Sequence, residues 1–261
     1  MVLLTQYPIR EQALRLCQKR QHKHLLYFII TERNHQEDNA MYNVIFDMDG
    51  VIFDSERTLL ACWIETSKKY DLNEDLIRNT YMQCIGTNRN QSTQIFRNAF
   101  CQILSDEMQM RIWDESAQLH KIRYADGVLP IKPGVVEILD FLQSGGISVG
   151  VASSTKRQMV EQQIRNAGLY DYFVGFIGGD AVKVSKPNPE IYLLACRAFG
   201  FAPSDTFAIE DSFNGIRAAH AAGMRPIMVP DMVPADDEMN RLAETVCKDL
   251  IETMDYLKKT V

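Results

Sequence analysis

Residues 43–51 read NVIFDMDGV, and this stretch decides the fold class. A short, mostly apolar run leads into Asp47 and Asp49, which stand two positions apart and are followed by Gly50. Continuous apolar runs of this length are typical of strands that are buried on both faces in a parallel sheet. The stretch therefore predicts a buried strand with acidic groups at its carboxyl end.

The same pattern recurs along the second half of the chain. Further apolar runs lie at 147–152, 173–177, 206–209 and 225–229. Segments of helical length lie at 134–144, 156–167, 188–199 and 213–222. Strands that alternate with helices are the signature of a parallel sheet covered on both sides. We therefore predict an α/β fold with a doubly wound, Rossmann-like parallel sheet.

One long segment breaks the alternation. Residues 55–125 contain no convincing strand, and we predict helices over 55–70, 73–82, 89–104 and 105–122. A helical insertion of this size predicts a second, smaller α-helical domain above the sheet, with Trp63 and Trp113 in its core. The predicted organisation is a core domain of 41–54 and 126–261, an inserted helical domain of 55–125, and an extension of 1–40.

Residues 1–40 differ in composition from the rest. They hold six basic and four acidic residues, a net charge of +2, whereas 41–261 carries a net charge of −8. Three interpretations stay open for this extension, which we do not assign to the core. It is an appended tail or an early translation start before Met41, a docking helix, or a mitochondrial targeting segment.

Composition excludes several classes of protein. The chain has 261 residues and a net charge of −6, which argues against a nucleic-acid partner. Its longest apolar run has six residues, against about 20 for a membrane helix. Six scattered cysteines show neither zinc spacing nor a disulfide framework. We expect a cytoplasmic protein with reduced thiols, no membrane or nucleic-acid partner, and a monomeric state.

Polar residues follow four of the predicted strands. Since ligands bind at the carboxyl ends of parallel strands, these residues should converge. They are Asp47, Asp49, Ser153, Ser154, Lys186, Glu210 and Asp211. Clustered carboxylates repel one another and call for a divalent cation, and all-oxygen ligation indicates Mg²⁺. Lysine and serine groups beside them would contact phosphate oxygens, and a carboxylate can attack phosphorus.

Four motifs in this order resemble the haloacid dehalogenase superfamily of phosphohydrolases, near its beta-phosphoglucomutase and sugar-phosphatase branch with a helical cap. They are the segments at 46–56 (FDMDGVIFDSE), 151–154 (VASS), 185–190 (SKPNPE) and 210–216 (EDSFNGI). The resemblance covers about residues 41–250. It implies a cap that closes over the sheet edge and selects a small phosphorylated substrate.

The resemblance also implies a role for each matched residue. Asp47 would be the nucleophile, and Asp49 would be the general acid and then the general base. Ser153, Ser154 and Lys186 would bind the phosphoryl group. The Mg²⁺ ligands would come from Asp47, Asp49, Glu210 and Asp211. In the cap, Gly86, Arg89 and Glu56 are the candidates for substrate contact.

We expect a Mg²⁺-dependent phosphatase that hydrolyses a small phosphorylated metabolite, such as a sugar phosphate, through an aspartyl-phosphate. Dehalogenases of this superfamily lack an acid at the position of Asp49, so the sequence favours phosphoryl chemistry over dehalogenation. Phosphonate hydrolases use a cap lysine, and no clear motif surrounds Lys68 or Lys69. A phosphomutase of the beta-phosphoglucomutase type stays open, although Leu59 and Ile85 replace its His and Lys. A non-catalytic phosphate-binding module also stays open.

Two further features receive no catalytic role from the sequence. The mechanism requires no histidine, so we expect His120 and His220 to be structural or exposed. We expect the acidic segment 231–238 to be a solvated loop.

Overall fold

The computed structural model describes residues 42–85, 89–124 and 129–260. The expectations for residues 1–40 lie outside these ranges. Within the described residues the chain forms one six-stranded sheet in which every pairing is parallel. The predicted doubly wound α/β fold is therefore confirmed.

The strands, in chain order, are β1 (Asn43–Phe46), β2 (Val149–Ser153), β3 (Gly175–Gly178), β4 (Thr206–Glu210), β5 (Arg225–Met228) and β6 (Thr245–Val246). Their spatial order is β3-β2-β1-β4-β5-β6. The chain order reverses at β1, whose neighbours are β2 and β4. Ligands bind at such a switch point in open α/β sheets.

The helices that cover the sheet are α5 (Val135–Ser144), α6 (Arg157–Asn166), α7 (Glu190–Phe199), α8 (Phe213–Ala221), α9 (Asp237–Leu242) and α10 (Leu250–Lys258). Alternate strand residues point to opposite faces of the sheet. Val44 and Phe46 of β1 therefore join the core beneath α5, α6 and α10. Ile45 joins the core beneath α7 and α8 on the other face.

Between β1 and β2 the chain forms α1 (Ser55–Lys68), α2 (Glu74–Cys84), α3 (Arg89–Phe100) and α4 (Asp106–Tyr124). These helices pack on one another around a separate apolar core. Trp63 stands at its centre, with edge-on contacts to Tyr81, Phe96 and Trp113. Trp63 is a core residue, as predicted, and Trp113 is partly buried and packs against the same core.

The helical segment leaves and rejoins the sheet at one place. The backbone N–H of Asp54 donates to the carbonyl of Pro130 at 2.8 Å. The N–H of Lys132 donates to the carbonyl of Ile52 at 2.9 Å. The outgoing and returning chains therefore run side by side, so the four helices are attached to the sheet through two adjacent connections.

Three elements near the C-terminus were not predicted: β6, α9 and α10. The prediction of a solvated loop at 231–238 is also wrong in two respects. The side chain of Asp231 is only 1% exposed, because Arg57 and Lys132 both donate to its Oδ1. Asp236 caps α9 by accepting a hydrogen bond from the Met239 N–H. Short polar residues are favoured at this position of a helix.

None of the described helices is long and apolar enough to cross a membrane. The described cysteines Cys62, Cys84, Cys101, Cys196 and Cys247 are all free thiols.

Candidate active site

The centre of the site is a buried lysine between two buried carboxylates. Lys186 Nζ lies 2.6 Å from Asp47 Oδ1 and 2.6 Å from Glu210 Oε1. It also donates to the carbonyl of Ala152 at the end of β2, at 3.2 Å. The side chains of Lys186, Asp47 and Glu210 are less than one tenth exposed. Three strand ends, those of β1, β2 and β4, therefore meet at a single ammonium group.

Both oxygens of Glu210 are occupied by protein donors. Its Oε1 also accepts from the buried hydroxyl of Tyr192 on α7 at 2.5 Å, and its Oε2 accepts from Ser212 at 3.2 Å. Gly215 of α8 makes room for this carboxylate, because a Cβ there would lie 1.9 Å from its Cδ. Glu210 is thus fixed from three sides, with Lys186 as its cationic partner.

Within the part of the chain that the structure describes, Asp211 has no such cationic partner. Carboxylate oxygens of Asp47, Glu210 and Asp211 lie within 4.8 Å of one another, an arrangement that could hold a metal ion. Burial raises the pKa of Asp211 well above its usual value, and the surrounding acids Glu210 and Asp47 raise it further. Gly50, with φ of 82°, permits the close approach of Asp211, since a Cβ there would lie 2.1 Å from Oδ2.

The ionisation of Asp47 depends on the same balance of charges. Burial raises the pKa of Asp47 to about 8, and Lys186 lowers it only in part because Glu210 and Asp49 act in the opposite direction. Burial acts to lower the pKa of Lys186, but Asp47 and Glu210 outweigh this effect and hold it well above its usual value. The lysine therefore stays protonated, and the raised pKa values of Asp47 and Asp211 reflect that one ammonium group does not compensate all the acids gathered here.

Asp49 faces the site with one of its two oxygens anchored. Oδ2 accepts from Thr155 Oγ1 at 2.8 Å and from Ser153 Oγ at 3.3 Å. Ser153 Oγ in turn accepts from the Thr155 backbone N–H at 3.0 Å. No hydrogen bond from the described residues reaches Asp49 Oδ1, so this oxygen is left for chemistry. Ser153 itself is fully buried, and its hydroxyl is directed to Asp49.

A cavity of about 510 Å³ opens onto these groups. The loops at the carboxyl edge of the sheet and the start of α8 contribute Asp47, Asp49, Ser154, Thr155, Ser185, Lys186, Asp211, Ser212 and Asn214 to its lining, and the helical segment contributes Ser55, Glu56, Leu59, Ile85 and His120. Of the three residues predicted to bind phosphate, Ser154 and Lys186 line the cavity, whereas Ser153 lies behind it. Substrate would therefore sit between the sheet edge and the four helices.

Glu56 lines two cavities. The second is a neighbouring space of about 400 Å³ that includes Asp211 and Asp231. Its Oε2 accepts from the hydroxyl of Tyr81 on α2 at 2.6 Å. Burial raises the pKa of Glu56, although the Tyr81 hydrogen bond acts to lower it. Of the other predicted substrate contacts, Gly86 and the side chain of Arg89 lie outside what the structure describes.

Sequence reasoning missed Thr155, Tyr192 and His120. Thr155 follows the serine pair directly, so its place in the second motif was a usable signal. Tyr192 and His120 reach the site only through the packing of α7 and α4, and nothing in their local sequence indicates it. His220, by contrast, is exposed on the surface, as expected.

The chain is similar to proteins named as phosphatases. It is 32% identical over 189 residues to a protein from Thermotoga maritima named phosphorylated carbohydrates phosphatase, covering 72% of this chain and 84% of that protein. It is 30% identical over 220 residues to hexitol phosphatase B from Escherichia coli strain K12, covering 79% of this chain and 95% of that protein.

Among solved structures, the fold is similar to that of a beta-phosphoglucomutase from Clostridium difficile. The TM-score is 0.62 at 23% identity, with 84% of this chain and 96% of that chain covered. The sequence profile described as haloacid dehalogenase-like hydrolase matches residues 44–229, a span that includes β2 through β5, β1 except for Asn43, and every core acid of the site. The chain therefore belongs to the haloacid dehalogenase-like hydrolases, and the two sequence relatives described above are named as phosphatases.

Proposed function

We propose that the protein is a Mg²⁺-dependent phosphatase that hydrolyses a small phosphorylated carbohydrate through an aspartyl-phosphate. One observation carries this proposal. The buried carboxylate of Asp47 is held by Lys186 at 2.6 Å in a cavity that also contains the half-anchored carboxyl of Asp49. The cavity thus brings together a nucleophile, a cation that can offset phosphoryl charge, and a proton donor. The names of the two relatives support carbohydrate phosphates as the substrate class.

The donor set fits a divalent cation. Asp47 and Asp211 offer carboxylate oxygens within 4.8 Å of each other. The described charged groups that act on Asp211 are all acids, so none of them compensates its negative charge. We propose that Asp47, Asp211 and the backbone carbonyl of Asp49 hold Mg²⁺, which favours oxygen ligands. Both oxygens of Glu210 are occupied, so we assign it to holding Lys186 beside this site. When bound, Mg²⁺ would polarise the phosphoryl oxygens and offset their charge.

The reaction follows from the positions of the two acids. A carboxylate oxygen of Asp47 forms a bond to phosphorus as the bond from phosphorus to the leaving oxygen breaks. Asp49 donates its proton to that leaving oxygen, which departs as an alcohol. Asp49 then accepts a proton from water, and the water oxygen attacks phosphorus and releases phosphate. The carboxylate of Asp47 is regenerated, and Lys186 offsets charge in both steps.

The anchoring of Asp49 suits this exchange of protons. Thr155 and Ser153 donate to Oδ2, which fixes the orientation of the carboxyl group and leaves Oδ1 to carry the proton. We propose that Ser154 and Lys186 contact the phosphoryl group directly. A direct phosphate contact by Ser153 stays a prediction, since its hydroxyl is engaged with Asp49.

We further propose that residues 55–125 act as the cap. They supply five side chains to the cavity and join the sheet through two adjacent connections. Opening about these connections would admit substrate, and closing would exclude water from the aspartyl-phosphate until the leaving group departs. We propose a monomeric, cytoplasmic enzyme with neither a membrane nor a nucleic-acid partner.

The apolar residues in the cavity favour hydrolysis over phosphoryl return. Leu59 and Ile85, the positions at which beta-phosphoglucomutases carry His and Lys, both line the cavity. Neither can hold or protonate a second hydroxyl of a bound sugar phosphate.

The test is a panel of sugar and polyol phosphates incubated with the protein and Mg²⁺, with released phosphate as the readout. We expect turnover that EDTA abolishes. Conversion of glucose 1-phosphate to glucose 6-phosphate without phosphate release would instead establish the mutase. Binding without turnover of any ester, including an aryl phosphate, would establish the non-catalytic module.

A further inference from the structure

His120, near the end of α4, faces the same cavity as the two catalytic acids. Its ring lies beside Tyr124, with the ring centroids 4.9 Å apart, and its Nε2 lies 3.0 Å from Thr58 Oγ1 on α1. The histidine is therefore held between two helices of the cap. The mechanism above gives it no task, since both proton transfers belong to Asp49.

The neighbouring hydrogen bond fixes the tautomer of His120. Thr58 Oγ1 lies 2.7 Å from the carbonyl oxygen of Ser55. Two oxygens at this distance repel unless a proton lies between them, so the single hydroxyl proton of Thr58 is directed to Ser55. Thr58 Oγ1 can then only accept from His120, and His120 carries its proton on Nε2. In the neutral ring Nδ1 is therefore a hydrogen-bond acceptor.

This acceptor is open to the cavity. No described residue forms a hydrogen bond with His120 Nδ1, and this atom is not fully buried. Burial lowers the pKa of His120, although Asp49 acts to raise it, so the ring is neutral near pH 7. Glu56 shows the same arrangement: Tyr81 holds its Oε2, whereas its Oε1 accepts no hydrogen bond from the described residues and is not buried out of reach of solvent.

On the cap wall of the cavity, His120 and Glu56 thus present open acceptors, whereas the hydroxyl of Ser55 is buried. The described polar side chains of this wall are Ser55, Glu56 and His120, beside apolar Leu59 and Ile85. The one ammonium group among the described lining residues, Lys186, is already paired with Asp47 and Glu210. A leaving group with hydroxyl donors would satisfy these acceptors. Among the described lining residues no unpaired cation faces Glu56, so a leaving group with a second phosphate or a carboxylate would meet this carboxyl group uncompensated by them.

We propose that His120 is a specificity-determining residue whose Nδ1 accepts a hydrogen bond from a leaving-group hydroxyl. Together with Glu56 it selects phosphate monoesters of neutral polyols and sugars over esters that carry a second anionic group. This inference rests on the proposed phosphatase function.

The test compares the protein with its His120→Phe variant on three substrates in Mg²⁺. The substrates are sorbitol 6-phosphate, fructose 1,6-bisphosphate and para-nitrophenyl phosphate, whose leaving group has no hydroxyl donor in the ester. Phe keeps an aromatic ring against Tyr124 but offers no acceptor. We expect the ratio of kcat/KM for sorbitol 6-phosphate to that for para-nitrophenyl phosphate to fall about tenfold, the effect of one lost hydrogen bond to a substrate hydroxyl.

Two further variants keep the result interpretable. Gln118→Phe changes an exposed residue on the same helix and should leave the ratio within twofold. His120→Gln keeps a hydrogen-bond acceptor, so its ratio of kcat/KM values should fall less than that of His120→Phe. This variant also keeps the test available if the Phe variant does not fold. The unmodified protein gives an independent arm, in which kcat/KM for the bisphosphate should be at least tenfold below that for sorbitol 6-phosphate.

The possible failures are distinct. If the unmodified protein hydrolyses none of the three esters, the proposed phosphatase function is overturned. If it hydrolyses para-nitrophenyl phosphate but His120→Phe leaves the substrate ratio unchanged, the role of His120 is overturned and the phosphatase stands. A preference for the bisphosphate would likewise overturn the selection of neutral leaving groups.

Discussion

Replacing Lys186 with Met removes the cation at the centre of the site while keeping a side chain of similar length. Lys186 Nζ makes two contacts of 2.6 Å to buried carboxylates, one on Asp47 and one on Glu210. Its loss leaves these acids facing each other and Asp211 with no positive charge among them. The variant should therefore be less stable and nearly inactive.

The magnitude follows from the burial of the group. Removing one partner of a buried ion pair costs about 3–5 kcal/mol, because a charge is left without compensation. Here Asp47, whose pKa is already raised, can take up a proton, so we use the lower end, about 3 kcal/mol. For a protein of this size each kcal/mol lowers the Tm by about 2–4 °C, which gives a fall of about 6–12 °C. The loss of a preorganised charge at the phosphoryl group should lower kcat/KM by roughly 10²–10³-fold.

The assay is a thermal melt in EDTA at pH 7 together with phosphatase kinetics in Mg²⁺. Lys183→Met is the matched control, because Lys183 lies three residues upstream with an exposed side chain and undergoes the same change of charge. Its Tm should stay within about 2 °C of the unmodified protein. A Lys186→Met variant that melts with the unmodified protein, or that retains more than a tenth of its kcat/KM, would refute the reasoning.

Two further substitutions test the surroundings of the site and the attachment of the C-terminal segment. Tyr192→Phe removes the hydroxyl that donates to Glu210 at 2.5 Å and should lower the unfolding free energy by about 1.5–3 kcal/mol in denaturant melts; an unchanged midpoint would show that Glu210 does not depend on it. Glu244→Gln removes the negative charge to which Arg225 donates two hydrogen bonds of 2.6–2.7 Å, and these contacts hold the pKa of Glu244 below its usual value of 4.5. A carboxyl group whose pKa is lower in the folded protein stabilises the fold at pH values above its pKa in the unfolded chain. The Tm of this variant should therefore lie below that of the unmodified protein at pH 7, and the difference in Tm should close as the pH falls below about 4.5. A gap that widens in acid would contradict that assignment.

The sequence was sufficient to predict the location of the acidic site residues that lie at the ends of strands. Asp47, Asp49, Glu210 and Asp211 belong to motifs at strand ends, and parallel pairing places all strand ends at one edge of the sheet. Lys186 comes from the loop after β3, and it was predicted to lie at the same edge because that loop follows a strand; the motif resemblance added its role. Local pattern and one general rule of sheet topology therefore predicted most of the candidate site.

Residues whose environment is made by distant packing could not be predicted in the same way. The segment that begins at Asp231 is rich in acids, which favours solvent exposure, yet Arg57 and Lys132 cover Asp231 from positions 174 and 99 residues away. His120 enters the cavity because α4 packs against α1, and the helical pattern alone does not say which face meets the sheet. The strand β6 has only two residues, too few for a recognisable apolar run.

The nucleophilic role of Asp47 is the central claim, and the Asp47→Asn variant tests it most directly. Asn keeps the size and polarity of the side chain but cannot supply the carboxylate that forms the aspartyl-phosphate. The measurement is the rate of phosphate release from a sugar phosphate or an aryl phosphate in Mg²⁺, on protein whose Tm shows that it is folded. We expect no turnover above the uncatalysed background, whereas turnover like that of the unmodified protein would contradict the mechanism.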